Sequence, residues 1–465
     1  METRLTALDL AFLALETQKT PVNVGGLTIY EIPKGYKGNY VKDLLEKLMK
    51  LEVGAPFNLK LNSTSLRRIP SWIVDEDFDL DYHVRHSALP KPGRIDDLTA
   101  LVSRLHSRIM DRERPLWELH LIEGLEGNRF ATYMKMHHAA IDGMGGIEVM
   151  ENCFSTDPSK PLRAPWALMP SRNKTRAELS RRERLEKTLK RTKARLGIAR
   201  DLGKIFVGQG LKVAGMMEDK SPAPFTAPES IFNQPISGAR RFAARTISLS
   251  DVKALGKEAG ATVNDMVLAL CAGALRFYME KHGQLPDRSL VATVPVSVRQ
   301  VNRSGNQITY VAAKLATEIA DPLQRLKMIG ESTQQAKAEI RDVSADAATL
   351  FATLAQGMVA ILNKFDLSDL LPPPANVTIS NVPGPREPLY LGDAKMLANY
   401  PLSVLVNGQA LNITVVSYCD SIDFGLMGCR DTLPDLEDLA DGLLSALEEL
   451  RTAIRGPQVA SKKAS

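Results

Sequence analysis

Along the chain the spacing of apolar and polar positions changes several times, and each change predicts an element. Phe130-Ala131-Thr132-Tyr133-Met134-Lys135-Met136 alternates bulky residues and runs at once into a polar, glycine-rich turn, which predicts a strand. Ile147, Met150, Glu151 and Phe154 then fall at helical spacing, so His137 and His138 are expected at a strand end just before a helix. Further on, Arg241 to Leu249 predicts a strand, and a helix follows from about Thr262 to Lys281 with Asn264 and Asp265 at its start. The β-branched runs Leu290 to Val298 and Leu411 to Tyr418 predict two more strands.

The same patterning separates zones. Residues 1–170 mix strand-like and helix-like runs with dense turn signals such as Leu89-Pro90-Lys91-Pro92-Gly93. Residues 171–229 are a crossover: Arg181, Arg182, Lys190, Arg191 and their basic neighbours surround Leu185, Leu189, Leu196 and Phe206 near one helical face, a basic amphipathic helix that ends in Ser221-Pro222-Ala223-Pro224. Residues 230–456 form the third zone, and 457–465 are a small, polar, basic tail expected to be disordered. A chain of 465 residues suits two or three domains, and 44% hydrophobic with 24% charged residues argues against a largely disordered chain.

A net charge of +5 is too small to imply nucleic acid. The four cysteines show no C-x-x-C pair, so neither a disulfide framework nor a zinc site is indicated, and a reducing compartment is expected. Glu2, Arg4 and Asp9 interrupt the apolar N-terminus, and no run approaches the roughly 20 apolar residues of a spanning helix. The reading is cytoplasmic, with any membrane contact peripheral.

The chemistry concentrates at His137-His138-Ala139-Ala140-Ile141-Asp142-Gly143. Imidazole titrates near neutrality, which suits a general base that takes a proton from a hydroxyl. Neighbours on an extended strand point to opposite sides, which disfavours one metal ion shared by both rings and gives them different roles: His138 as base, His137 as support. Asp142 is expected to hold the turn beside Gly143 through a buried ion pair, with Arg299 as its candidate partner. No G-x-S-x-G elbow and no phosphate-binding G-x-x-x-x-G-K-[ST] loop is present, so direct transfer is favoured over an acyl-enzyme.

His137 to Gly143 matches the HHxxxDG motif of the CoA-dependent acyltransferase superfamily, which peptide-synthetase condensation domains share. The other blocks narrow the resemblance. Leu8-Asp9 with Phe12-Leu13 and Glu16, Pro21 to Gly26, Phe78-Asp79-Leu80 with His83-Val84-Arg85, and Arg114-Pro115-Leu116-Trp117-Glu118 resemble the bacterial wax ester synthase/acyl-CoA:diacylglycerol acyltransferase family. So do Asn264-Asp265, Pro295 to Arg299, Asn381 to Pro385 and Leu411 to Thr414; Asn23 stands where the family usually has a histidine.

The resemblance implies an α/β (α+β) fold of two chloramphenicol-acetyltransferase-like lobes, mixed sheets packed with helices and joined by the helical crossover. It implies an O-acyltransferase that takes acyl-CoA as a substrate, needs no cofactor, and makes triacylglycerol from diacylglycerol or wax esters from long-chain alcohols. Asn264 is either a helix cap or, near the active site, a group that supports the histidine loop or polarises the thioester carbonyl; Asp265 and Arg299 are candidate supports of the site, read first as structural. The enzyme would sit on the inner face of the plasma membrane or on lipid inclusions. Two other readings remain open at this point: a condensation-type transferase that uses a carrier-protein thioester, and a non-catalytic lipid-surface protein.

Overall fold

A computed structural model describes residues 3–64, 70–140, 153–167, 200–205, 207–209, 212, 220–223, 225–298, 307–341, 343–344, 347, 350 and 372–456. These residues belong to two compact units. Unit one comprises Met1–Pro170, Gln234–Asp251 and Val382–Asp441; unit two comprises Ser171–Asn233, Val252–Asn381 and Gly442–Ser465. The zone 230–456 is therefore not one lobe, because two of its segments fold with the N-terminal residues. Strand pairing explains the difference: it needs an extended run in register and is indifferent to distance along the chain.

In unit one the described strands are β1 (Thr3–Arg4), β2 (Asn23–Glu31), β3 (Leu59–Leu61), β4 (Ser71–Val74), β5 (Val84–Ala88), β6 (Trp117–Leu125), β7 (Arg129–His137) and β8 (Arg240–Ser248). Unit two contributes β9 (Val291–Val298), β10 (Gln307–Lys314) and β11 (Val377–Val382), the last ending at the boundary. Back in unit one lie β12 (Tyr390–Leu391), β13 (Ala394–Leu402), β14 (Leu411–Tyr418) and β15 (Ser421–Cys429). Helices, numbered as described, are α1 (Ala7–Leu15), α2 (Tyr40–Leu48), α3 (Leu80–His83), α4 (Ile95–His106), α5 (Leu249–Ala259), α6 (Val263–Lys281), α7 (Pro322–Arg341) and α8 (Leu436–Arg455).

The main sheet of unit one runs β12-β13-β2-β7-β6-β5. Its β7 is the strand expected before the histidines, and it pairs antiparallel with β2 and β6. Tyr133 and Ala131 face α4, where Leu98 and Val102 are fully buried; Phe130 and Met136 face the other way, into a core shared with Val41, Leu44 and Leu48 of α2. With both faces covered, β7 carries bulky residues on both, and each such side chain contributes about 1.5–3 kcal/mol by leaving water. That burial fixes the register and so the place of the histidines at its end.

β1, β4 and β3 make a separate small sheet. β8, β15 and β14 pair antiparallel in that order, and β15 passes so close to β13 that a Cβ on Gly425 would stand 1.9 Å from the Pro401 carbonyl oxygen. In unit two β9 pairs antiparallel with β10 and parallel with β11. There α6 packs against the last helix through Gly273, whose missing side chain leaves room for Ala446. Most of the 171–229 crossover, including Arg181, Arg182, Lys190 and Arg191, lies outside the described residues, as does the 457–465 tail.

Candidate active site

The histidine pair is built from two elements far apart in sequence. Thr6 starts α1 with a capping box, its hydroxyl accepting the Asp9 amide at 3.2 Å while the Asp9 carboxylate accepts the Thr6 amide at 2.7 Å. Phe12 and Glu16, four residues apart, then share one face at the end of the helix. The Phe12 ring lies on the His138 ring with centroids 4.0 Å apart and planes at 30°. Glu16 reaches the other histidine: its Oε1 lies 3.4 Å from Nε2 of His137, and both side chains are almost wholly buried, at 2% and 0% exposure.

A buried carboxylate needs compensation, and Glu16 has it. Arg112 donates to Oε2 through Nε at 3.2 Å and Nη2 at 3.0 Å, and Nη2 also donates to the Leu13 carbonyl at 2.6 Å. The Val22 amide donates to Oε1 at 3.3 Å. Burial alone would raise the Glu16 carboxyl, but His137, the Val22 amide and Arg112 together hold it below the usual carboxylate range.

The turn after β7 decides the tautomer of His137. Its Nδ1 accepts the Ala139 amide at 3.0 Å, so that nitrogen is bare and the ring proton sits on Nε2, facing Glu16. The Ala140 amide donates to the His137 carbonyl at 2.9 Å and closes the turn. His137 is thus fully buried, with Nδ1 held by the turn and Nε2 3.4 Å from the Glu16 carboxylate. His138 differs: its amide donates to the Val22 carbonyl at 3.0 Å, and its half-buried ring packs face to face with Phe12.

Two polar residues behind the histidines tie β7 and β2 to the end of α4. Lys135 is fully buried, and its Nζ donates to the Arg108 carbonyl at 2.7 Å and the Leu105 carbonyl at 3.1 Å. A helix C-terminus leaves carbonyls unsatisfied and favours a cation, so Lys135 meets both needs. Burial pushes its ammonium down to about 8, against the opposing pull of the Glu118 and Glu16 carboxylates. Asn23 sits opposite His137 in the β2–β7 register, and its Nδ2 donates to the Arg108 carbonyl at 2.9 Å. It braces the same loop.

Asp142, Gly143 and Arg299 lie outside the described residues. Asn264 and Asp265 belong to unit two. The cap of α6 is Thr262, whose hydroxyl accepts the Asp265 amide at 3.2 Å, so Asn264 is not the cap. A residue already inside the first turn cannot supply the β-region backbone that a capping position needs. Its Nδ2 is buried and meets no acceptor among the described residues. Asp265 accepts from Thr262 Oγ1 at 2.6 Å and Thr333 Oγ1 at 2.9 Å. Sequence reasoning gives Glu16, Arg112, Phe12 and Lys135 no role; Phe12 and Glu16 stand in a block that resembles the family and share one helical face, while Arg112 and Lys135 carry no signal of their own.

The fold is shared with the first condensation domain of the CDA synthetase (TM-score 0.56, 14% identity, covering 98% of this chain and 97% of that one), a likeness of fold alone. The chain therefore has the two-unit mixed α/β fold of such domains.

The match to the wax ester synthase/diacylglycerol acyltransferase from Marinobacter aquaeolei VT8 is closer, with a TM-score of 0.78 and 35% identity over 97% of this chain and 99% of that one. O-acyltransferase WSD of Acinetobacter baylyi is 38% identical, covering 97% of this chain and 99% of its own length. A relative in Mycobacterium tuberculosis named a probable diacylglycerol O-acyltransferase is 41% identical over 96% of this chain and 98% of its own. Residues 5–267 match the wax ester synthase/diacylglycerol acyltransferase catalytic domain and residues 304–451 the WS/DGAT C-terminal domain. The chain belongs to the wax ester synthase/diacylglycerol acyltransferase family and is an O-acyltransferase.

Proposed function

We propose that this enzyme moves a fatty acyl group from acyl-CoA to the hydroxyl of a diacylglycerol or a long-chain alcohol, with His138 as the general base. The observation that carries the assignment is the division of labour between the two rings. His137 is buried, its tautomer set by the Ala139 amide and its Nε2 turned to Glu16. His138 is half-buried at the strand end and oriented by Phe12.

In the reaction, His138 takes the hydroxyl proton as the oxygen attacks the thioester carbonyl. The new C–O bond forms, the C–S bond breaks, and the imidazolium returns its proton to the departing sulfur, giving an ester and free CoA. Glu16, Arg112 and His137 keep the turn rigid, so that the base does not have to be ordered in each turnover. The scheme uses acyl-CoA as substrate and no further cofactor. Among the described residues no helix is long and apolar enough to cross a membrane, and the proposed lipid contact is peripheral, through the basic 171–229 crossover.

The test is turnover by the purified chain of hexadecanoyl-CoA with hexadecanol and, separately, with a diacylglycerol, following free thiol and resolving the lipid products. Ester formation with both donor and acceptor free in solution supports the reading. Thiol release that is independent of the alcohol, or a requirement for a carrier-protein thioester, overturns it.

A further inference from the structure

Antiparallel pairing sets directly opposite side chains on the same face of a sheet. Asn23 of β2 and His137 of β7 are such a pair, both within unit one. The His138 amide donates to the Val22 carbonyl, one step beyond the pair on each strand, and the His137 amide donates to Leu116 of β6 instead. Asn23 and His137 are therefore a non-hydrogen-bonded pair, the kind at which side chains come closest, with Cβ atoms about 4.5–5.5 Å apart.

Both residues are wholly buried, at 0% exposure, and each keeps one polar atom without a hydrogen-bond partner among the described residues: Asn23 Oδ1 and His137 Nε2. The two atoms are complementary. Asn23 Nδ2 donates to the Arg108 and His106 carbonyls at 2.9 and 3.4 Å, which identifies Oδ1 as the remaining atom, an acceptor only. His137 Nδ1 accepts the Ala139 amide, which leaves Nε2–H, a donor only. Nε2 comes within 3.4 Å of Glu16 Oε1 without the alignment of a hydrogen bond, so the carboxylate does not satisfy it directly.

A buried donor and a buried acceptor are costly when unmatched, and pairs that do not meet directly are joined by internal water, which makes two to four hydrogen bonds. One water spans about 5.6 Å through two hydrogen bonds of about 2.8 Å each, which suits a cross-strand pair of this kind. Glu16 Oε1, beside Nε2, offers a third partner.

We propose that one internal water sits between Asn23 and His137, accepting from Nε2–H and donating to Asn23 Oδ1 and Glu16 Oε1, and that Asn23 thereby acts as a positioning residue for His138. The water keeps the His137 proton on Nε2, which keeps Nδ1 bare for the Ala139 amide, and that bond shapes the turn in which His138 stands. In the other tautomer Nδ1–H would meet the Ala139 N–H, two donors in contact, and the turn would lose this bond. The positioning role rests on the acyl-transfer reading above; the water does not.

Two measurements on the full chain test the water without turnover. A crystal structure that orders internal solvent should show one peak within about 2.7–3.2 Å of both Asn23 Oδ1 and His137 Nε2. Histidine-selective 15N labelling, with His137 assigned by the loss of its signals in His137→Gln, should show Nε2 protonated and Nδ1 bare. No peak at that position, or a protonated Nδ1, overturns the proposal.

The 15N pattern of His137 should give way to a mixture of tautomers in Asn23→Leu and persist in Lys135→Met, which removes the other donor to the Arg108 carbonyl. If both variants change it alike, Asn23 acts only as a brace and the positioning role is overturned. With hexadecanoyl-CoA and hexadecanol, Asn23→Leu should lower kcat about 10-fold and leave both KM values unchanged, and an unaltered kcat overturns the positioning role. If Asn23→Leu does not fold, Asn23→Ser, whose hydroxyl is one bond shorter, takes its place in both comparisons. If wild type turns over no pair of substrates the acyl-transfer reading fails, and the crystal and 15N results then decide the water alone.

Discussion

Adjacent histidines of the same chemical type end in different situations because a strand turns consecutive side chains to opposite sides and the following turn captures only one of them. His137 Nδ1 accepts the Ala139 amide, and its other nitrogen faces a carboxylate compensated by Arg112. Replacing His138 by Ala is expected to abolish ester formation with the melting temperature unchanged, while His137→Ala keeps a reduced rate and loses stability. Equal rates for His138→Ala and wild type would remove the base from this position.

Glu16→Gln keeps the shape but leaves Arg112 facing a neutral amide, and should cost about 1–3 kcal/mol in urea unfolding. The Glu16 carboxyl is held below its ordinary range, so its contribution is present at neutral pH and is lost as pH falls through the lowered folded-state value. The stability gap between wild type and Glu16→Gln should therefore close on acidification. A gap that persists in acid would mean the carboxylate charge is not what stabilises the turn.

At the scale of elements, β7 and α4 are joined by Lys135, whose ammonium satisfies carbonyls at the helix end while fully buried. Its folded-state value of about 8 lies below the roughly 10.4 of an exposed lysine, so between those limits the unfolded chain binds more protons than the native one. Stability should rise with pH across that interval by at most about 1.4 kcal/mol per pH unit, and Lys135→Met should lose this rise. Urea midpoints of both proteins at three pH values check it. A parallel pH response of the two would place the cation's cost elsewhere.

For the whole molecule, the discontinuity of unit one has a direct consequence. β13 pairs with β2 along nearly its full length, so a fragment ending at residue 229 leaves the β2 edge open and lacks β8, β14 and β15. Such a fragment is expected to aggregate or to unfold without a cooperative transition, which calorimetry would register. The basic crossover makes a second expectation. Binding of the full chain to anionic vesicles should fall as salt rises, because attraction between exposed charges is screened beyond about 8 Å at physiological salt. Replacing Arg181, Arg182, Lys190 and Arg191 by Gln should release the protein and spare turnover of a short, soluble alcohol; unchanged binding would make the segment a linker only.

Sequence by itself determined the elements whose burial is regular enough to leave a period: β7 at Arg129–His137, β14 at Leu411–Tyr418, and α6 at Val263–Lys281, though not its cap. It also determined the histidine pair, because seven consecutive residues carry that motif and the strand before it predicts opposite side-chain directions. Tertiary structure alone decided which distant strands share a sheet, since hydrogen bonding between β13 and β2 depends on register and leaves no mark on either strand's own pattern. It alone brought Glu16 and Arg112, separated by more than ninety residues, to within 3.0 Å of each other beside His137.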